Sequence, residues 1–307
     1  MANLYPDLTL KMLDISFGEQ FNKPIVITLG FFDCMHKGHV ALYDVARKHA
    51  DRHDALCALL TFSNNHFQVI GVDVKPIYTF DERLIIYKNV GLDVVASATF
   101  DRAFMNLSAD DFLQVLSKYN LKHVVCGFDY TCGRDRKGSA YVKQYFESKG
   151  IGCTVVDEVV TEGVKISSTL VRKLLIENNV EKANLLLSQP YFVTGVVEAG
   201  RKVGRLLQFP TANLQVSAEK LLPVGVYAGN AVVDGKSYRA IVNVGAKPTF
   251  DVDANSVEAH LIGFDGNLYG KTLTVELTKF LRKIKKFECK DQLAEQLKLD
   301  LESALND

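Results

Sequence analysis

Gly30-Phe31-Phe32-Asp33-Cys34-Met35-His36-Lys37-Gly38-His39 decides how the first half of the chain is read. Ahead of it, Pro24-Ile25-Val26-Ile27-Thr28-Leu29 is an apolar, β-branched run of the kind carried by a fully buried strand. Behind it, Val40, Leu42, Val45 and Ala46 recur at helical spacing. The pattern predicts a strand that ends, a turn, and a helix that begins at 36–38. Free backbone N–H groups and the positive end of a helix dipole at such a turn favour a bound anion. His36 and His39 are three positions apart and project from one face beside it, two donors of tunable charge suited to a triphosphate. An isolated H-x-x-H also occurs as a packing pair. The preceding strand, the glycine and Asp33 tilt the reading toward nucleotide binding.

The chain has 307 residues, more than one core usually holds, which predicts two domains. Apolar residues make up 48% and charged residues 23%, the balance of an ordinary globular enzyme. The formal net charge of zero argues against a broad nucleic-acid footprint, so any anion must meet a local site. Six cysteines (Cys34, Cys57, Cys126, Cys132, Cys153 and Cys289) are scattered without a C-x-x-C pair or metal spacing, and read as reduced thiols. Residues 1–11 show no signal-peptide pattern, and no apolar run reaches membrane-spanning length. A cytoplasmic, soluble protein without a membrane partner is expected.

Up to residue 187, strand and helix patterns alternate: strands at 55–62, 94–100, 123–128 and 154–160, helices at 79–89, 108–119 and 139–149. Such alternation predicts a mostly parallel sheet with helices on both faces, with ligands gathered at the carboxyl ends of the strands. The segments 30–39, 61–66 and 127–136 fall there. Ser108 with Asp111 three residues on reads as a capping box. Ser167-Ser168-Thr169 opens another helix, where hydroxyls serve as cap or as phosphate donors, and Arg172 lies one turn along. Ser188-Gln189-Pro190 breaks the run. Beyond it, alternating runs at 191–198, 225–233, 238–244, 257–263 and 272–280, punctuated by Asp234-Gly235 and Asp265-Gly266, predict a small closed barrel, with a helix over 288–305 packed across it. Pro210 fixes the backbone so that Thr211 and Asn213, on alternating positions, point the same way. Their neutral oxygens suit Mg²⁺ together with phosphates. Glu258 and His260 share the strand face opposite Val257, Ala259 and Leu261.

Five motifs carry a resemblance. These are G-x-F-D-x-x-H-x-G-H at 30–39; Gly127-Phe128-Asp129-Tyr130 with Gly133, Arg136 and Gly138; Ile166-Ser167-Ser168-Thr169-Leu170-Val171-Arg172; Gly204-Arg205 with Phe209-Pro210-Thr211-Ala212-Asn213; and Val257-Glu258-Ala259-His260. In this order, and over nearly the whole chain, the sequence resembles the bacterial bifunctional riboflavin kinase/FAD synthetases. The resemblance implies an α/β Rossmann-like nucleotidyltransferase domain over 1–187. It implies a small all-β, riboflavin kinase-like barrel with a C-terminal helix over 188–307. The barrel would phosphorylate riboflavin to FMN with ATP, and the first domain would adenylylate FMN to FAD with release of pyrophosphate. The small molecules bound are then ATP, riboflavin, FMN and FAD, with Mg²⁺ as cofactor. By resemblance, His36, His39 and Arg172 work beside the ATP-binding Gly30, Phe31, Asp33, Ser167, Ser168 and Thr169. Gly127, Asp129 and Arg136 contribute to a flavin site. In the barrel, Gly204 and Arg205 bind ATP, Thr211 and Asn213 hold the metal, Glu258 is the general base, and Arg282 belongs to a flavin site.

The sequence departs from the family pattern in places. Cys34, Tyr130, Cys132 and Gln208 replace a usual Gly, Phe, Phe and Gly. Thr61-Phe62-Ser63-Asn64-Asn65-His66 stands where T-F-x-P-H-P is usual. If position 34 needs positive φ, a Cβ there crowds ATP. Two alternatives therefore stay open: a riboflavin kinase with a weakened or inactive adenylyltransferase domain, and a flavin-sensing regulatory protein.

Overall fold

The computed structural model describes residues 11–14, 23–161, 163–198, 209–246 and 255–305. They form two compact units, one within Met1–Pro76 and Phe80–Ser167, the other within Ile77–Thr79 and Ser168–Asp307.

The first unit follows the predicted alternation. In chain order come β1 (Lys11–Asp14), β2 (Ile25–Leu29), α1 (Lys37–Arg52), β3 (Leu56–Phe62), α2 (His66–Val69), α3 (Phe80–Asn89), β4 (Val94–Ala98), α4 (Arg102–Met105), α5 (Ala109–Ser117) and β5 (Leu121–Gly127). The short pair β6 (Thr131–Cys132) and β7 (Lys137–Gly138), α6 (Ser139–Ser148), β8 (Gly152–Val156) and the hairpin β9 (Val160–Thr161) and β10 (Val164–Lys165) complete it. One sheet runs β1-β4-β3-β2-β5-β8, and every pairing in it is parallel. All five residues of β2 are buried because the strand lies inside the sheet and is covered on both faces, which explains its unbroken apolar sequence. Burying each of Ile25, Val26, Ile27 and Leu29 contributes about 1.5–3 kcal/mol. Ser108 caps α5 as predicted: its Oγ accepts from the Asp111 N–H at 3.1 Å and donates to the Asp111 carboxylate at 2.6 Å.

The second unit begins with α7 (Ser168–Ile176) and α8 (Val180–Leu186). Six strands then close into a barrel: β11 (Phe192–Glu198), β12 (Ala212–Gln215), β13 (Gly225–Val233), β14 (Lys236–Ala246), β15 (Asn255–Leu261) and β16 (Thr272–Arg282). Their order is β11-β12-β15-β14-β13-β16, antiparallel throughout. The barrel interior is filled by small and branched side chains such as Val193, Val242, Val257, Ala259 and Val275, all fully buried. The last helix, α9 (Lys290–Leu305), lies on the outer face, where Ala304 and Leu301 meet Val226, Ala228 and Ile241. Lys220 is buried, donates from Nζ to the Ile77 carbonyl at 3.0 Å, and sits 4.4 Å and 4.8 Å from the ring centres of Tyr78 and Tyr191. A carbonyl and two ring faces compensate its desolvation, and this fastens 77–79 to the barrel unit.

Candidate active sites

In the first sheet, β2 has β3 on one side and β5 on the other. At such a reversal of strand order a crevice opens beyond the carboxyl ends of the strands. The stretch 30–39 leaves β2 at this point and 127–136 leaves β5. His36 is the N-cap of α1, its Nδ1 accepting from the backbone N–H of His39 at 3.2 Å. His39 in turn donates from Nδ1 to the Cys34 carbonyl. The two rings stack with centres 3.6 Å apart. Gly38 makes room for this arrangement, because a Cβ there would lie 3.0 Å from Cε1 of His36. The bonds define tautomers: His36 carries its proton on Nε2, whereas Nε2 of His39 is an acceptor.

The predicted tunable charge resolves into a neutral pair near pH 7. Burial, reinforced by His39, holds His36 down to about 2. Burial holds His39 down to about 4, against the opposing pull of the Cys34 carbonyl and the Asp129 carboxylate. The Asp129 field brings the β5 loop to bear on the histidine turn. Asp129 pairs with Lys165 at 2.8 Å, and that ammonium also lies 4.4 Å from the exposed Phe128 ring. Gly127 ends β5 and is half-buried, while Arg136 is exposed in the turn between β6 and β7 with φ 51°. Phe31 is half-buried and Asp33 buried. The Ile166 carbonyl oxygen lies 3.9 Å from where a Gly38 Cβ would stand, so the chain entering Ser167 passes the turn. Ser168, Thr169 and Arg172 belong to α7 in the second unit.

The concern at Cys34 does not arise. Positive φ falls on Phe32 (51°) and not on Cys34, whose side chain is fully buried. The segment 63–66 is restrained without prolines. Asn64 donates to the Phe100 carbonyl at 2.9 Å and accepts from the Phe100 N–H at 2.8 Å, and Asn65 caps α2 through the Phe67 N–H at 3.1 Å. His66 packs edge-on against Phe31, ring centres 4.2 Å apart.

On the barrel, strand register assembles the second site. Asn213 stands opposite Glu258, Glu258 opposite Asn243, Asn243 opposite Val226, and Val226 opposite Arg282. Residues directly opposed in a ladder share a face, so this row lies on the outside of the barrel, with Val257 and Ala259 turned inward. Between the row and α9 is a cavity of about 290 Å³, lined by Thr211, Glu258, Asn243, His260 and Arg282 among others. Its apolar wall includes Ile241, Phe287, Leu293 and Leu297. A second cavity, about 350 Å³, opens between 210–212 and 264–269. Thr211 lines both. His260 is held by donation from Nδ1 to the Pro210 carbonyl at 2.8 Å. The Arg282 guanidinium grips Asp300 of α9 through Nε at 3.0 Å and Nη2 at 2.8 Å. Sequence reading passed over Asp300, an acidic residue on a helix whose burial at 3% exposure is decided by the barrel. Gly204 and Arg205 lie outside the described residues.

No cluster of three or more His, Cys, Asp or Glu suited to a metal is present among the described residues. Neutral oxygens together with phosphate suit a hard divalent cation. Thr211 and Asn213 supply such oxygens, Asn213 in register with Glu258 and Thr211 at the junction of the cavities. The donor set fits Mg²⁺.

An α/β unit with a capped histidine turn at its switch point, joined to a barrel whose outer cavity is lined by Glu258 and Thr211, is the arrangement of a two-module transferase. Family models agree with each module: the FAD synthetase model matches residues 18–170 and the riboflavin kinase model residues 187–306. The chain is 34% identical to the bifunctional riboflavin kinase/FMN adenylyltransferase of Bacillus subtilis, over 91% of each chain. It is 32% identical to that of Listeria monocytogenes and 30% identical to that of Escherichia coli K12, over 90% of each chain in both cases. The chain belongs to the bifunctional riboflavin kinase/FMN adenylyltransferase family. Its fold also matches the crystal structure of a protein named macrolide-efflux protein from Streptococcus pneumoniae, with a TM-score of 0.85 and 32% identity, covering 94% of this chain and 95% of that one. No helix among the described residues is long and apolar enough to cross a membrane.

Proposed function

We propose that the chain makes FMN from riboflavin on its barrel and FAD from FMN on its α/β unit, each time with ATP. The observation that carries the kinase reading is the convergence of Glu258 and Thr211 on one cavity, with Asn213 in register beside Glu258. Riboflavin lies in the cavity under α9, its ring against Ile241, Phe287 and Leu297, and ATP approaches from the side shared by Thr211. Glu258 takes the proton of the ribityl 5′-hydroxyl as that oxygen attacks the γ-phosphorus, and ADP leaves. Mg²⁺ held by Thr211 and Asn213 would neutralise charge on the phosphates.

In the first unit an FMN phosphate oxygen attacks the α-phosphorus of ATP, and pyrophosphate leaves. This chemistry asks for positioning and charge stabilisation more than for covalent help. His36 offers an Nε2–H donor, and Nε2 of His39 takes up a proton when phosphate charge arrives. Gly30, Phe31 and Asp33 shape the turn, Ser167 serves the phosphates, and Gly127, Asp129 and Arg136 serve the flavin; Ser168, Thr169 and Arg172 are assigned to the phosphates on the family resemblance alone. We assign adenylyl transfer to residues 1–187 and phosphorylation to 188–307, and we place both reactions in the cytoplasm, where free thiols persist.

Purified protein given riboflavin, ATP and Mg²⁺, with products separated by chromatography, tests the reading: FMN followed by FAD is expected. Glu258→Gln is expected to lower FMN formation by 10²-fold or more while leaving FMN-to-FAD conversion intact. Equal loss of both would contradict separate sites.

A further inference from the structure

The nucleotide turn contains a conformation that its own sequence does not favour. Phe32 has φ 51°, in the left-handed region that bulky residues avoid. Such backbone persists only when its surroundings over-determine it. Here the surroundings are two side chains on consecutive turns of α3. Arg83, 2% exposed, donates from Nη1 to the Phe31 carbonyl at 3.2 Å and to Thr61 Oγ1 at 2.7 Å, and from Nη2 to the Phe62 carbonyl at 2.7 Å. Thr61 Oγ1 donates in turn to the Phe31 carbonyl at 2.6 Å. Tyr87, fully buried, donates from its hydroxyl to the Phe32 carbonyl at 3.0 Å.

The carbonyls of Phe31 and Phe32, the second and third residues beyond β2, are therefore claimed by α3, as is the Phe62 carbonyl that ends β3. The guanidinium also lies 4.8 Å from the ring centre of Phe31. A planar fork with several donors in fixed directions can serve three oxygens at once; a lysine ammonium, a compact point charge, cannot reproduce that geometry. A buried cation spent on backbone carbonyls at the mouth of a nucleotide crevice is an expensive way to hold a merely structural loop.

We propose that Arg83 and Tyr87 are positioning residues for adenylyl transfer, fixing the Phe31–Phe32 turn so that 33–39 meets ATP in one conformation. The inference rests on the adenylyltransferase reading of the first unit. Neither residue touches the reacting atoms; misplacement of the turn acts on the geometry of attack, and so on kcat.

The test is steady-state FAD synthesis from FMN and ATP by the full chain, with riboflavin kinase activity of the same preparations alongside. Tyr87→Phe removes one oxygen and no packing volume; Arg83→Lys keeps the charge and loses the fork. Expected are a fall in kcat for FAD synthesis of at least fivefold for Tyr87→Phe and at least twentyfold for Arg83→Lys. In each, kcat falls more than the KM for ATP rises, and riboflavin kinase activity stays within twofold of the unsubstituted chain. Should Arg83→Lys fail to fold, Tyr87→Phe decides the matter. FAD synthesis within twofold of the unsubstituted chain in Tyr87→Phe, or an equal loss in the kinase reaction, overturns the proposal alone. An unsubstituted chain that makes FMN but no FAD overturns the adenylyltransferase reading and the proposal with it.

Discussion

The His36 ring has two nitrogens for two roles: Nδ1 caps α1, which leaves Nε2–H as the donor available to a phosphate in the proposed mechanism. These roles separate by substitution. Asparagine is a strong N-cap and alanine a poor one. His36→Asn is expected to keep the stability of the first unit within about 0.5 kcal/mol, and His36→Ala to lose about 1 kcal/mol. Both should lose FAD synthesis while retaining FMN formation. Urea unfolding and product chromatography on the two variants check this, and FAD synthesis unaffected in either would remove the ring from the mechanism. The motif H-x-G-H was legible as chemistry at a helix start. That both rings are neutral was not, because it follows from burial and from each other's proximity, which no spacing reveals. Cys34 illustrates the same limit: its identity suggested crowding, but the strained φ fell two residues earlier, on Phe32.

Among elements, α9 is a helix that the sequence presents only as packing and that the structure makes one wall of the cavity lined by Glu258 and Arg282. Its Asp300 accepts from Arg282 Nε at Oδ1 and from Arg282 Nη2 at Oδ2, and also from Gln296 at 2.9 Å, while Arg239 donates to the Ala304 carbonyl at 2.8 Å near the helix end. The Arg282 side chain is 19% exposed and that of Asp300 3%, so removing the carboxylate strands a largely buried cation. Asp300→Asn is expected to destabilise the barrel unit by roughly 2–3 kcal/mol and to raise the KM for riboflavin severalfold, with FMN adenylylation unchanged. Denaturant titration and paired kinetics measure both, and an unaltered KM for riboflavin would detach α9 from the proposed flavin site. Five of the barrel strands were legible from alternation and turn signals. The sixth, β12, was not: its four residues Ala212–Gln215 are too short a run to show a period, and pairing with β11 and β15 makes it a strand.

Across the molecule, buried neutral histidines set a pH dependence. His123 stacks on His49 with ring centres 3.6 Å apart, and burial, aided by His49 and His53, holds it down to about 4. His39 is held to a similar value. Their folded pKa values lie below the unfolded value near 6.5, so the unfolded chain binds more protons between those limits. Stability is then complete above about pH 6.5 and declines as pH falls toward about 4. Denaturant midpoints followed through this window should fall, and His123→Gln should flatten the decline; a midpoint flat from pH 7 to 5 would contradict it. By itself the sequence determined the two architectures and the order of the motifs, because periodicity and local motifs are properties of neighbouring residues; the two kinds of nucleotide chemistry came from the family resemblance those motifs carry. Only the tertiary structure decided that Asn213, Glu258 and Arg282 form one row, that Asp300 answers Arg282, and that Arg83 and Tyr87 hold the nucleotide turn. Those partners stand far apart along the chain and meet only through strand register and helix packing.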